Sequence, residues 1–594
     1  NVALGDEAGH DITTGSRNTI LGSKAGDAAT TTDDTTLVGY GAGGGAIMTG
    51  HDNVAVGSGS LSVTTSGASN VAVGKDALAS NTTSSFNVAV GESALNANTT
   101  SGNNTAVGYQ SLKVNTGGSN TAVGRGSLLS NTSGSNNVAI GREALESNTT
   151  GANNVAIGKD ALTANTTAND NTAVGHEALQ ANTGNDNTAV GWGALYTNTS
   201  AAGNTAVGRK ALYSNTTGDQ NVAMGYQAGE SNTTGLGNTS IGYQAGNKIT
   251  TGSNNTAVGR NALDALTTAS SNSAFGREAL TKLTTGSQNT GIGFESGKEM
   301  TTGTNNVAVG HQAMKLVTTG GNNTGIGSFA LAQITTGSSN TGVGNDCMDS
   351  VTTGGNNVCM GVDSGQAITT GSNNTAIGTD ALANCTTSDQ NTAVGRTALT
   401  ACTGSGNTAV GDGAGFTATS ATDCIFIGHD AGANQVTTTN DQLYIARSGA
   451  SLGTDAVFLY GSSNGSLING DNSSTFNTVS DERIKKNIVD SPKGLAEILQ
   501  VKIRNFEYRT FDELDDDVKA LNDGKGLNVL NKSGVKTGVI AQELEAIFPN
   551  DVTDLPDGTK NVKIENTQWA LIKAVQELSA KNDALEARIA TLEG

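Results

Sequence analysis

The chain has 594 residues, only 14% of them charged and 4% aromatic, with 81 glycines, 3 prolines and a net charge of −20. The length exceeds one ordinary domain, and the scarcity of charge and proline excludes a typical disordered chain. The acidity excludes nucleic acid as a partner, and the lack of any run of 18 apolar residues excludes membrane insertion.

The chain begins inside a repeat. Aligned on N-[TV]-A-[VI]-G, copies start at Asn1, Asn18, Asn53, Asn70, Asn87 and onward to Asn407, with degenerate copies at Thr35 and Cys424. The 26 copies lie mostly 17 residues apart, and glycine holds the fifth position of each, from Gly5 to Gly428. A sequence opening in mid-repeat without Met is expected to have its anchoring segment upstream of Asn1.

In a typical unit, residues 154–170, "NVAIG" alternates as a strand does, with Val155 and Ile157 on one side and Ala156 on the other. Gly158 permits a bend, Ala161 and Leu162 add an apolar contact, and "NTTAND" supplies turn chemistry. So short a unit cannot bury a core alone. The units must stack, about 4.8 Å apart, into a rod of about 125 Å.

The twelfth position is Asn in ten successive copies, from Asn81 to Asn232, and aliphatic from Ile249 to Ile368. Such an exchange marks an inward position, where amides ladder or aliphatics pack dry. Cys385 and Cys402 occupy it in adjacent copies, close enough for a disulfide by distance alone. With five cysteines and no framework spacing, free buried thiols are expected.

The repeat, residues 1–430, resembles the head modules of trimeric autotransporter adhesins and the repeats of phage and giant-virus fibres. The resemblance implies a parallel β-roll in a homotrimer, with small third-position residues such as Ala106, Ala156 and Gly291 at close contacts.

Little in the repeats reads as chemistry. His10, His51, His176, His311 and His429 show no metal-ligand spacing, so neither a metal nor a cofactor is expected. Asp160, Glu177 and Glu278 occupy the turn after the glycine, where exposed acids would keep a rod soluble. Asn-X-Thr sequons, as at Asn98 and Asn165, follow from the repeat itself and would matter only in a eukaryotic secretory setting. Aromatics recur just after the glycine, at Tyr40, Tyr109, Trp192, Tyr226, Tyr243 and Phe294; they form either a glycan-stacking strip or incidental exposed rings.

Residues 431–479 read as a β-rich neck, with "DQLYIAR" and "DAVFLYG" as strands and "SSNGSLING" as a hairpin or coil. Composition then turns ordinary. "GLAEILQ" predicts a helix, "KIRNFEYR" a strand, and "KTGVIAQELEAIFP" a strand running into a helix that proline ends. The tail, residues 566–594, carries Leu571, Val575, Leu578, Leu585, Ile589 and Leu592 at heptad spacing, with Asn582 on the same seam to fix register. Leu at d with β-branched residues at a leans toward two strands; the larger repeat interface points to three.

"SDERIKKNI", "GVIAQELEAIFP" and "WALIKAVQEL" together resemble the C-terminal intramolecular chaperone domain of phage endosialidase tailspikes and tail fibres. That autoproteolytic family includes the myelin regulatory factor. Its pattern is Ser-Asp followed by Arg and Lys two and four residues after the Asp, met by Ser480, Asp481, Arg483 and Lys485. The resemblance implies a domain that trimerises, drives folding of the β-structure upstream and cuts itself off at Ser480. Ser480 would be the nucleophile and Lys485 the base, its pKa lowered by burial or by Arg483 and Lys486, while Asp481 shapes the turn or the substrate bond.

The expected fold is therefore mainly β: a parallel β-solenoid over 1–430, a β neck over 431–479, an α+β auto-processing chaperone over 480–565 and a coiled-coil helix over 566–594. The expected role is a homotrimeric virion tail fibre that attaches to a host-surface glycan or protein receptor, with a single-turnover Ser-Lys endopeptidase as its only enzyme activity. The alternatives are a cellular, extracellular adhesin with the same release device and a glycan-degrading tailspike, which would need paired carboxylates in a groove. An ice-binding solenoid, suggested by the Thr-Thr pairs, is more remote.

Overall fold

A computed structural model describes residues 1–433, 438, 440–446, 457–461, 467–469, 489–507, 535–554 and 560–594. The chain divides into two compact units, Asn1–Phe476 and Asn477–Gly594.

Each repeat contributes one three-residue strand. The 26 strands run from Val2–Leu4 to Ile425–Ile427, and each pairs in parallel with the next at the equivalent residue, as in Val155↔Thr172, Ala156↔Ala173 and Ile157↔Val174. Leu443–Ala446 adds one more parallel strand beyond the repeat motif. Val457–Gly461 and Leu467–Asn469 then follow in antiparallel pairing, where neck strands were expected. The fold is a parallel β-solenoid of 17-residue coils.

The alternation within "NVAIG" decides what is inside. Ala156 is fully buried, whereas Val155 is half-buried and Ile157 exposed. The small third-position residues thus line the inside of one chain's coil and not a contact between chains, as Ala106 and Gly291 also show.

Interior volume is shared between positions 3 and 9. Most coils pair Ala with Leu, as in Ala156 and Leu162. Where position 3 is large, position 9 is glycine: Ile20 with Gly26, Leu37 with Gly43, Phe426 with Gly432. A Cβ on Gly432 would sit 2.6 Å from the Phe426 ring, so a close-packed coil admits one bulky group or the other. Position 9 is left-handed throughout, at φ 53° for Leu162 and 73° for Gly432, which is why glycine can replace leucine there.

The invariant fifth glycine has a different cause. Gly158 has φ 138°, and a Cβ on it would lie 2.3 Å from the Gly175 carbonyl oxygen of the next coil. Strand-to-strand approach leaves no space there for any side chain.

Buried amides tie the coils together. Asn154 Nδ2 donates to the Ala168 carbonyl at 2.9 Å, and its Oδ1 accepts from the Asn171 amide N–H at 3.0 Å and Nδ2 at 3.2 Å. This satisfies backbone groups at the turn and strand start that burial would otherwise leave orphaned. The twelfth position is inward, as its exchange pattern predicts. Asn148 donates to Asn131 at 2.8 Å and Asn165 to Asn148 at 3.0 Å, while Ile249 through Ile368 are buried in an apolar core. All five cysteines are free and buried, Cys385 and Cys402 included.

The acids after the glycine are less exposed than expected. The Asp160 and Glu278 side chains are only 14% and 15% exposed, and lysines cover them: Lys159 at 3.1 Å from Asp160, Lys298 at 2.8 Å from Glu278. They brace neighbouring turns as well as carrying charge. Lys298, aided by Lys315 and Gln312, holds Glu295 down to about 2. The sequon residues Asn98 and Asn165 are fully buried and offer no amide for glycosylation in the folded chain.

Candidate functional site in the C-terminal unit

The residues expected to cleave the chain, Ser480, Asp481 and Lys485, with Arg483, lie outside the described residues. What is described is the scaffold that follows them in sequence.

Its centre is a small core of Leu544, Phe548, Val552 and Ala570, with Ile498, Val501, Val539 and Val562 packed at its edge. "AQELE" forms the helix Ala541–Glu545, and Pro549 opens a 3-10 turn, Pro549–Asp551, that leads into the strand Val552–Asp554. This strand pairs antiparallel with Lys560–Val562, and Arg504–Phe506 pairs with Lys536–Gly538. Arg504 clamps Glu543 with two hydrogen bonds of 2.7 and 3.1 Å, fixing that strand pair to the helix.

The long helix Glu565–Glu593 contains neither glycine nor proline and is rich in Ala, Leu, Glu and Lys, all good helix formers. Its first turn is capped from a distance. Asp551, 1% exposed, accepts from the Asn566 N–H at 2.9 Å and from the Thr567 N–H and hydroxyl, both at 2.6 Å. Burial pushes the Asp551 carboxyl up, but these hydrogen bonds outweigh it and hold the pKa below the ordinary range. A charged carboxylate at a helix N-terminus also complements the helix dipole. Two to three turns further along, Glu577 accepts the Leu495 N–H at 3.1 Å, and Lys573 donates to the Ser491 carbonyl, which docks the short helix Leu495–Ile498.

Among the described residues of the long helix only Ala570 and Ala574 are buried. The heptad residues Leu571, Val575, Leu578, Leu585, Ile589 and Leu592 remain 51–82% exposed, along one seam with Asn582. Among the described residues nothing covers these six large apolar side chains, which form one exposed stripe along the helix.

Residues 480–553 match the family described as chaperone of endosialidase. The match begins on Ser480 and ends in the strand Val552–Asp554, before the long helix. No curated protein and no solved structure matches the chain. The chain thus joins a parallel β-solenoid to a region similar to the chaperone of endosialidase. Among the described residues no helix is long and apolar enough to cross a membrane.

On the solenoid, stacking brings together what linear spacing kept apart. Asp160, His176 and Glu177 place possible ligand atoms within 4.8 Å of one another. Asp160 and Glu177 hold the same turn position in successive coils, so a 17-residue offset was the signal that could have found them. Lys159 already neutralises Asp160 there.

Proposed function

We propose that this chain is the shaft of a homotrimeric viral fibre that attaches to a host surface, and that its C-terminal unit aligns three chains and then cuts itself free at or beside Ser480. The observation that carries the reading is the chaperone match on residues 480–553, set between a 26-repeat solenoid and a helix with an uncovered heptad stripe.

The solenoid explains why such a helper is needed. Near-identical parallel coils can pair one repeat out of register with almost the same contacts, and long-range parallel pairing forms slowly. A C-terminal clamp that gathers three chains first removes that ambiguity. The outward strand positions supply a matching surface along the shaft: Ile157, Val190, Met224, Ile292, Ile377 and Val410 are all exposed on the sheet face. In the cleavage step the Ser480 hydroxyl attacks a peptide carbonyl at or beside its own position, and Lys485 takes the hydroxyl proton. Lys485 passes that proton to the amine freed as the C–N bond breaks, and water hydrolyses the ester that results; Asp481 shapes the turn or the scissile bond. Coupling this step to trimer formation makes cutting a test of correct assembly.

Expression of the chain beside its Ser480→Ala variant tests this. The parent should release a fragment of about 115 residues, residues 480–594, and the variant should stay full length; light scattering should give the mass of three chains. Two intact chains in assembled trimers would remove self-cleavage, and a monomer in solution would remove the clamp.

A further inference from the structure

The residue after each strand-ending glycine lies on the surface of the solenoid. In five successive coils it is Trp192, Arg209, Tyr226, Tyr243 and Arg260. The next residue is acidic in the flanking coils, Glu177 and Glu278, but in these five it is Gly193, Lys210, Gln227, Gln244 and Asn261. From Asn187 to Ser271 the chain has four basic and three acidic residues, against 33 and 53 overall, so the local charge is inverted.

The arginine in this ladder is held but not neutralised. The Arg209 guanidinium carbon lies 5.1 Å from the Trp192 ring centre and 5.8 Å from that of Tyr226. Tyr226 stacks on Tyr243 at 5.3 Å. Among the described residues neither Arg209 nor Arg260 makes an ion pair, whereas Arg125, Arg142, Arg277 and Arg396 all do. An acidic protein that leaves one arginine stacked between two rings, without a carboxylate, keeps a planar donor edge ready for an anion from outside. Between the two arginines, Gln244 Nε2 donates to Gln227 Oε1 at 3.0 Å, an amide ladder suited to hydroxyl groups.

We propose that this face binds a linear acidic polysaccharide, with carboxylate or sulfate groups on Arg209 and Arg260 and sugar C–H groups against the outward edges of the Trp192, Tyr226 and Tyr243 rings. The two arginines are three coils apart, about 14 Å, so they match a chain with spaced charges. A nucleic acid carries a phosphate on every residue and would meet two free arginines within an acidic rod. Each coil advances about 4.8 Å, close to the length of one pyranose, so a glycan lying along the stack stays in phase with the ladder.

The inference rests on the attachment reading, and one array separates the two. The full chain is passed over immobilised hyaluronan, chondroitin sulfate and alginate, with neutral dextran and other neutral glycans, polyglutamate, poly(dT) and cell-surface proteins beside them. Retention on acidic glycans should fall at least tenfold for Arg209→Gln and for Trp192→Ala, and clearly for Arg209→Lys, which keeps charge but loses the planar stack. Arg125→Gln, whose arginine already pairs with Glu143, should bind as the parent does; melting curves confirm that each variant is folded. Retention that survives Arg209→Gln, or a preference for polyglutamate, poly(dT), neutral glycans or proteins, overturns the strip and leaves attachment standing. Silence across the whole array overturns both.

Discussion

The two halves of the solenoid share one backbone and differ in what fills it. From Asn81 to Asn232 the twelfth position is an amide, bonded coil to coil from Asn98 to Asn165 and again from Asn182 to Asn232; from Ile249 it is aliphatic, then thiol. The apolar core divides at the same place, one cluster ending at Ala228 and the next starting at Ala245. There Ser240 takes position 3 while Gly229 and Gly246 take position 9, so neighbouring coils lack the bulk to touch. Strand register runs through the junction unchanged, Thr205↔Val222 and then Val222↔Thr239. The coil is therefore specified by the strand ladder, the first-position Asn and the fifth-position Gly. The twelfth position has only to be filled: the aliphatics pack dry, and the amides bond in runs that leave Asn165 Oδ1 and Asn232 Oδ1 without a partner among the described residues.

The strongest way to break that comparison is through a residue both halves need. Gly158→Ala and Gly310→Ala would each drive a Cβ to 2.3 Å from the next coil's carbonyl, at Gly175 and Gly327, with φ near +137°. Each should cost more than about 3 kcal/mol locally and open the mutated coil to protease and hydrogen exchange. The two effects should be equal. A coil in one half that tolerates the alanine would show that the halves do not share a backbone requirement.

The next test sharpens what the amide ladder contributes. Asn148→Leu removes the donor to Asn131 Oδ1 and to the Gly151 carbonyl and the acceptor of Asn165 Nδ2, a loss of about 2–3 kcal/mol. The triple change at Asn131, Asn148 and Asn165 should cost much less than three times that, because adjacent leucines pack on one another as Leu266 and Leu283 do. Additive costs, measured by denaturant unfolding, would mean that the ladder is required by the coil and not interchangeable with an aliphatic stack.

Much of this was legible because the repeat states it 26 times over: strand, alternation and inward twelfth position follow from period two inside period 17, but which side of the strand is inside does not. The heptad stripe was legible for the same reason. Two features were not. Leucine at φ 53° runs against its own preference, and only stacking on the neighbouring coil stabilises Leu162 there. The cap on the long helix comes from Asp551, 15 residues before Asn566, in a "FPND" turn that reads as the end of another helix. Local patterns reveal periodic structure well and contacts between elements poorly. The cross-coil pairs of Lys298 with Glu278 and of Lys315 with Glu295 belong to the second kind.

The smallest expected effect uses the thiols, which lie only in the C-terminal half, from Cys347 to Cys424. Burial pushes Cys402 up to about 12, and it raises Cys385 and Cys424; a hydrogen bond with Cys347, together with burial, holds Cys359 well above its ordinary value. A free thiol in the unfolded chain titrates near about 8.5. The folded chain keeps these protons where the unfolded chain would lose them, so their contribution is complete below that pH and declines as pH rises toward 12. At pH 10 the coils from 347 to 424 should therefore lose hydrogen-exchange protection before the Asn-ladder coils, once the intrinsic base rate is corrected for. Serine at Cys402 should reduce the difference. If the thiol-free half opened first, its amide ladder would be the weaker filling, and the equivalence of the two cores would fail.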